Sequence, residues 1–183
     1  PYTTLFRSKA YSHPSVRLKK RPVTSWLVAG FFQGFFTLLM TYIAVNDITL
    51  FSALQPRVLF AAVLSSLMLW GSYPMTQVYQ HQEDSRRGDI TLSIKLGILG
   101  TFYFTAVLFS GAMGGFVTYF LTYYSSLVAL GFVVLLLPVL AYFGWWYFSV
   151  LNNREAANFK NTMRLNWLSA ISFNVFFGLS CLV

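Results

Sequence analysis

The chain has 183 residues, 56% of them hydrophobic and only 10% charged, with 19 Phe, 11 Tyr, 5 Trp and a formal net charge of +8. Soluble domains carry about a quarter charged residues, and so little polar surface cannot coat a water-soluble globule of this length. That excludes an ordinary soluble bundle and leaves the question of whether the apolar runs reach the roughly 20 residues that a bilayer crossing needs.

Residues 1–9 show no periodicity and read as a possible junction, ahead of one unit covering 10–183. The sequence opens on Pro rather than Met, and no cleavage pattern follows the first apolar run, so it reads as part of a larger membrane protein rather than one led by a signal peptide. Pro14 and Pro22 flank the basic stretch Arg17-Leu18-Lys19-Lys20-Arg21, which reads as a loop feeding the first span. Five apolar runs follow, at about 25–45, 58–79, 97–121, 127–150 and 165–182. The expected fold is therefore all-α, a polytopic transmembrane helical bundle with five spans.

Between the first two runs, Asp47 is expected to face solvent or cap a helix, and Pro56 to open the second helix. Pro74 is expected to kink that helix just before a polar patch. Gly111, Gly114 and Gly115 permit close helix packing in the third span, and the very short link at 122–126 makes the third and fourth spans an antiparallel pair. Trp26, Trp70 with Tyr73, Tyr123 with Tyr124, Trp145 with Trp146, and Trp167 resemble interfacial belts. Cys181 is the single cysteine, so no disulfide forms within the chain.

The basic charge reports topology rather than nucleic-acid binding. Arg7, Lys9, Arg17, Lys19, Lys20 and Arg21 precede the first run; Arg86, Arg87 and Lys95 follow the second; Arg154, Lys160 and Arg164 follow the fourth; Arg57 alone falls on the other side if the spans alternate. The bias of Lys and Arg places the N-terminal segment and both charged loops in the cytoplasm. The loop from Asn152 to Lys160 has this topogenic role, and Glu155 can pair locally there.

Three of the five carboxylates lie in the segment Gln80-His81-Gln82-Glu83-Asp84-Ser85-Arg86-Arg87-Gly88-Asp89. On a continuing helix Gln80 and Asp84 share a face, with Glu83 beside them. A hard cation such as magnesium needs few protein carboxylates when it keeps waters and bridges to phosphates. Arg86 and Arg87 offer the forked donors that match phosphate oxygens, and Arg17, Lys19 and Lys20 lie on the same expected side. Asp89 either caps the following segment or contacts the metal or its waters. Tyr11 and Tyr79 are candidates for a pocket wall, whereas His13 and His81 read as interfacial polar residues, with no partner for a zinc site. The competing account is a basic loop with local acidic partners.

The segment Tyr11-Ser12-His13-Pro14-Ser15-Val16-Arg17-Leu18-Lys19-Lys20 resembles the basic motif of the UbiA family of intramembrane aromatic prenyltransferases, especially the branch that includes chlorophyll synthase. The stretch from Gln80 to Gly97 resembles the family's second aspartate-rich motif with its trailing Gly, Thr-Leu and Leu-Gly positions. The resemblance implies a nine-helix fold of which these five spans are the C-terminal part. It implies Mg2+, a polyprenyl diphosphate donor and an aromatic or quinone-precursor acceptor. Asp84 matches the later aspartate of the motif, and Gln80 stands where an earlier aspartate is usual, with Glu83 or Asp89 as substitutes. Asp84 and Lys19 are the implied catalytic groups; Tyr11, Arg17, Lys19, Lys20, Arg86 and Arg87 the substrate-binding ones; and Asp84, Gln80, Glu83 and Asp89 the metal ligands. The expected location is a bacterial inner membrane. The first acidic motif would precede residue 1, so the 183-residue chain alone is expected to be inactive. A transporter or channel fragment would carry ionisable groups near mid-membrane, and the runs are almost free of them; a structural subunit is the other alternative.

Overall fold

The computed structural model describes residues 21–181, which are helical throughout apart from short connections. Tyr11, Arg17, Lys19 and Lys20 lie outside the described residues. The helices are α1 (Pro22–Gly30), a π-helical stretch (Phe31–Phe36), α2 (Thr37–Asn46), α3 (Leu50–Ala53), α4 (Pro56–Met75), α5 (His81–Arg86), α6 (Leu92–Tyr123), α7 (Ser126–Asn152) and α8 (Phe159–Ser180). A 3-10 turn, Arg154–Ala156, joins the last two.

Among the described residues four segments are long and apolar enough to cross a membrane: Pro22–Asn46, Pro56–Met75, Leu92–Tyr123 and Ser126–Asn152. The fold is thus an all-α membrane helical bundle. The fifth expected run falls in α8 as far as Ser180; α8 starts earlier than that run and carries Lys160, Asn161, Arg164, Asn166 and Asn174, leaving it outside those four.

Neighbouring rods run antiparallel. Gly30 faces Trp70 while Gly34 faces Ser66; Gly71 faces Leu108 while Gly115 faces Leu64; Phe102 meets Trp146 while Phe116 meets Phe132. Phe132 in turn meets Phe176 of α8, and Tyr142 donates to Asn161 Oδ1 at 3.1 Å. Direction therefore alternates, and Arg21, the α4–α6 connection and the α7–α8 connection share one end while Arg57 is at the other. Of the three glycines expected to allow close packing, Gly115 does so: a Cβ there would fall 2.3 Å from Leu64, whereas Gly114 has open space.

The first two rods are joined through their backbones. A Cβ at Gly34 would lie 2.5 Å from the Ser66 backbone, and this contact lets the Ser66 hydroxyl enter the π turn. It donates to the Gly30 carbonyl at 2.9 Å and accepts from the Phe35 amide at 2.8 Å, bracing the two groups that the i to i+5 spacing of a π turn brings opposite each other.

Pro74 acts one turn earlier than expected. Lacking an amide, it leaves the Trp70 carbonyl without its helical donor, and Trp26 Nε1 donates to that oxygen at 2.8 Å. The next carbonyl, Gly71, accepts from Thr105 Oγ1 of α6 at 2.9 Å. α4 ends at Met75, four residues short of the apolar run, and Thr76–Tyr79 form a turn. The aromatic-belt expectation needs one correction: Trp145 and Trp167 are exposed, but Trp146 is fully buried, its indole donating to the Ala156 carbonyl at 2.7 Å.

α6 begins five residues before the apolar run because Thr91 caps it, accepting from the Ile94 amide at 3.3 Å. Within it the path breaks at Gly97, at φ 70° and ψ 172°, a region open in practice only to glycine. No heavy atom lies within 4 Å of where a Cβ would sit, so conformation rather than space selects glycine. Gly97→Ala should therefore lower stability by about 1–3 kcal/mol, while Gly114→Ala should be neutral or stabilising; thermal unfolding of the two variants in one detergent checks the contrast. Ser66→Ala should cost about 1–3 kcal/mol by removing the hydroxyl's two bonds, to the Gly30 carbonyl and from the Phe35 amide, read in the same melts.

Candidate active site

At the end shared by the charged connections lies a cavity of about 350 Å3. Its wall includes Pro22 and Ser25 of α1, Gln77, Tyr79 and Gln80 of the turn after α4, Asp84 of α5, and Asp89. Pro22 follows Arg21 directly, so the chain enters α1 beside this cavity.

The two carboxylates are brought together by how α5 ends. Gly88 adopts φ 69°, which permits the Gly88 amide to bond Ser85 O at 3.2 Å and the Asp89 amide to bond Asp84 O at 2.9 Å. This is the paired-bond helix stop that favours glycine just past the last turn. The chain doubles back, and Asp89 returns to the cavity that Asp84 already lines. Thr91, not Asp89, caps α6, and Asp89 is part of the cavity wall.

Gln80 precedes α5 rather than continuing α4, but its carbonyl accepts from the Asp84 amide at 2.9 Å, so the expected one-turn relation survives. Its amide nitrogen donates to Tyr79 Oη at 2.7 Å, directing the amide oxygen to serve as the remaining acceptor. Tyr79 is held from its other side by Phe159 of α8, with ring centroids 5.2 Å apart. Glu83 and Arg87 lie elsewhere: both are exposed, and they pair with each other across one turn. Neither they nor Arg86, which is also exposed, line the cavity.

Sequence reasoning missed Gln77. Its Oε1 is buried without a hydrogen-bond partner among the described residues, and the residue lines the cavity. The available signal was the spacing Gln77, Gln80, Asp84, three oxygen-bearing side chains at intervals of three and four. Among the described residues no three His, Cys, Asp or Glu side chains converge as a metal site. The donor set is instead two carboxylates and two amides, one amide oxygen being buried and orphaned. Hard oxygen donors of this kind suit a magnesium ion that keeps several waters.

His81 is not simply interfacial. It is half-buried and its Nε2 lies 2.7 Å from Ser93 Oγ. Burial holds its pKa below the ordinary 6.5, with the Asp84 carboxylate pulling the other way.

The whole is a membrane-spanning helical bundle with an acidic and amide-lined cavity at its charged end. Residues 3–170 match the UbiA prenyltransferase family, and the chain belongs to that family. Neither a curated protein nor a solved structure matches it.

Because the folded pKa of His81 is lowered, any stability linked to its neutral form is present above the unfolded value and lost as pH falls. An NMR titration of the His81 ring should give a midpoint below 6.5. Asp84→Asn should lower that midpoint further, since the opposing carboxylate is removed.

Proposed function

We propose that the chain is the C-terminal five-helix part of a nine-helix, magnesium-dependent prenyltransferase. In this reading α8 is the fifth span, and the parent moves a polyprenyl group from its diphosphate to an aromatic or quinone-precursor acceptor. The observation that carries this reading is the convergence of Asp84, Asp89, Gln77 and Gln80 on one cavity beside an apolar trough. Two further cavities, of about 450 and 700 Å3, share Ser65, Phe116 and Phe177, and the nearer one begins at Met75, next to Thr76 of the polar cavity. The motifs at Tyr11–Lys20 and Gln80–Gly97 support placement in the branch that includes chlorophyll synthase. The basic ends support a bacterial inner membrane with the charged connections on the cytoplasmic side.

Asp84 and Asp89 would hold the magnesium ion with the amide oxygens of Gln77 and Gln80, Glu83 being tied to Arg87. An ion held by these residues would supply positive charge against the diphosphate oxygens. Lys19, Lys20 and Arg17 would add cationic stabilisation of the departing diphosphate and Tyr11 would complete the substrate-binding set that the motifs imply, while Arg86 and Arg87 stand off the cavity wall. The apolar trough holds the hydrocarbon tail and keeps water from the allylic carbon.

In the intact parent, Asp84→Asn should leave the protein folded and lower prenyl transfer by about 100-fold or more. A folded variant with undiminished transfer would assign the acidic cavity to structure alone.

A further inference from the structure

No residue of α5 is fully buried, and only its polar His81 and Asp84 are half-buried, so apolar packing does not fix the segment that carries Asp84. Its ends are anchored, by Val78 at 2% exposure and Leu92 at 9%, but thirteen residues separate those anchors. A loop of that length with an exposed middle has wide conformational freedom unless something ties it down.

His81 reaches into a fully buried hydroxyl pair. Ser93 and Thr101 are both at 0% exposure. Their oxygens lie 3.0 Å apart, and Thr101 Oγ1 donates to the Gly97 carbonyl at 2.7 Å. Each hydroxyl has one proton, and Thr101 has two carbonyls within reach, Gly97 at 2.7 Å and Ser93 at 3.3 Å. With the Thr101 proton on either carbonyl, Thr101 accepts from Ser93 and Ser93 in turn accepts from His81 Nε2–H, the assignment adopted for this chain of bonds. The shorter of the two carbonyl contacts is to the one residue in α6 whose backbone leaves the helix. On a straight helix residues 93 and 101 would stand about 12 Å apart; the break at Gly97 folds the path so that their hydroxyls meet.

We infer that His81 is a positioning residue, which through Ser93 and Thr101 moors the Gln80–Asp89 segment to the break in α6 and so sets where Asp84 stands in the cavity. His81 does not line that cavity and takes no part in bond making. The effect on catalysis rests on the proposed prenyltransferase reading; the mooring itself does not. Outer groups that orient ligating carboxylates typically change metal affinity or activity by about 10–100-fold.

The test compares His81→Phe, His81→Gln and Ser93→Ala in the full-length protein, reconstituted in nanodiscs. Glutamine keeps an N–H donor near the Nε2 position; phenylalanine keeps the ring volume and loses the donor. Amide hydrogen exchange over 82–89 should speed up about tenfold or more in His81→Phe and Ser93→Ala, with exchange in α7 unchanged, and return to within about threefold in His81→Gln. Nitrogen NMR of the wild-type ring should show the proton on Nε2. Prenyl transfer should fall about tenfold or more in kcat for His81→Phe and be largely restored by His81→Gln. Exchange over 82–89 that is the same in His81→Phe as in wild type, or a neutral ring protonated on Nδ1, overturns the mooring. If exchange responds as expected while the wild-type protein transfers no prenyl group, the mooring stands and the enzymatic reading falls.

Discussion

The structure depends on the Trp70 carbonyl, the oxygen that Pro74 deprives of its donor. In hydrocarbon no water replaces a missing partner, so the oxygen must be met by another helix, and the indole of Trp26 meets it. That bond, with Thr105 on the neighbouring Gly71 carbonyl, covers the disturbed turn just before α4 ends at Met75, inside what looks like a longer apolar run. The early end turns Thr76–Gln80 aside and makes room for a polar cavity. A helix continued to Tyr79 would have filled that space with backbone.

The polar cavity is then finished by small local devices. Gly88 turns the chain so that Asp89 comes back to Asp84. Tyr79 orients the amide of Gln80. Gly97 breaks α6, and the Ser93 and Thr101 hydroxyls meet across the break. Each acts over a few residues, yet together they set four oxygen-bearing side chains around one space. Phe102 on Trp146 supplies apolar bulk on the cavity side of the bundle, and Phe120 on Phe132 and Phe176 packs its opposite end.

Much of this was legible in the sequence. Composition and run length gave an all-helical membrane bundle, and the polar segment at 80–89 marked the cavity end, because charge is expensive in lipid and gathers where it is needed. Asp84 was readable for that reason, as was the sharp turn at Gly88. Less legible was anything decided by contacts between helices. Pro74 signalled a disturbance, but which groups meet the Trp70 and Gly71 carbonyls is decided by Trp26 and Thr105 on other helices. Trp146 looked like a belt residue because its neighbour Trp145 is one, and a helix places adjacent residues about 100° apart. Gln77 and His81 were missed or read blandly since an amide or imidazole near a membrane surface has many ordinary uses; a buried, orphaned oxygen and a buried hydroxyl partner are facts of three dimensions. The fifth run was visible as apolar sequence, but its polar first half belongs to the same helix.

The seam between the first two rods has a consequence for how the protein is made. Ser66 completes the wide turn at Gly34, and Trp26 and Trp70 exchange indole bonds with each other's backbone carbonyl regions, on Trp70 and Leu27. Separated in lipid, both rods would expose bare peptide groups to the acyl chains. They are therefore suited to leave the insertion machinery as a joined hairpin rather than as independent stems that find each other later.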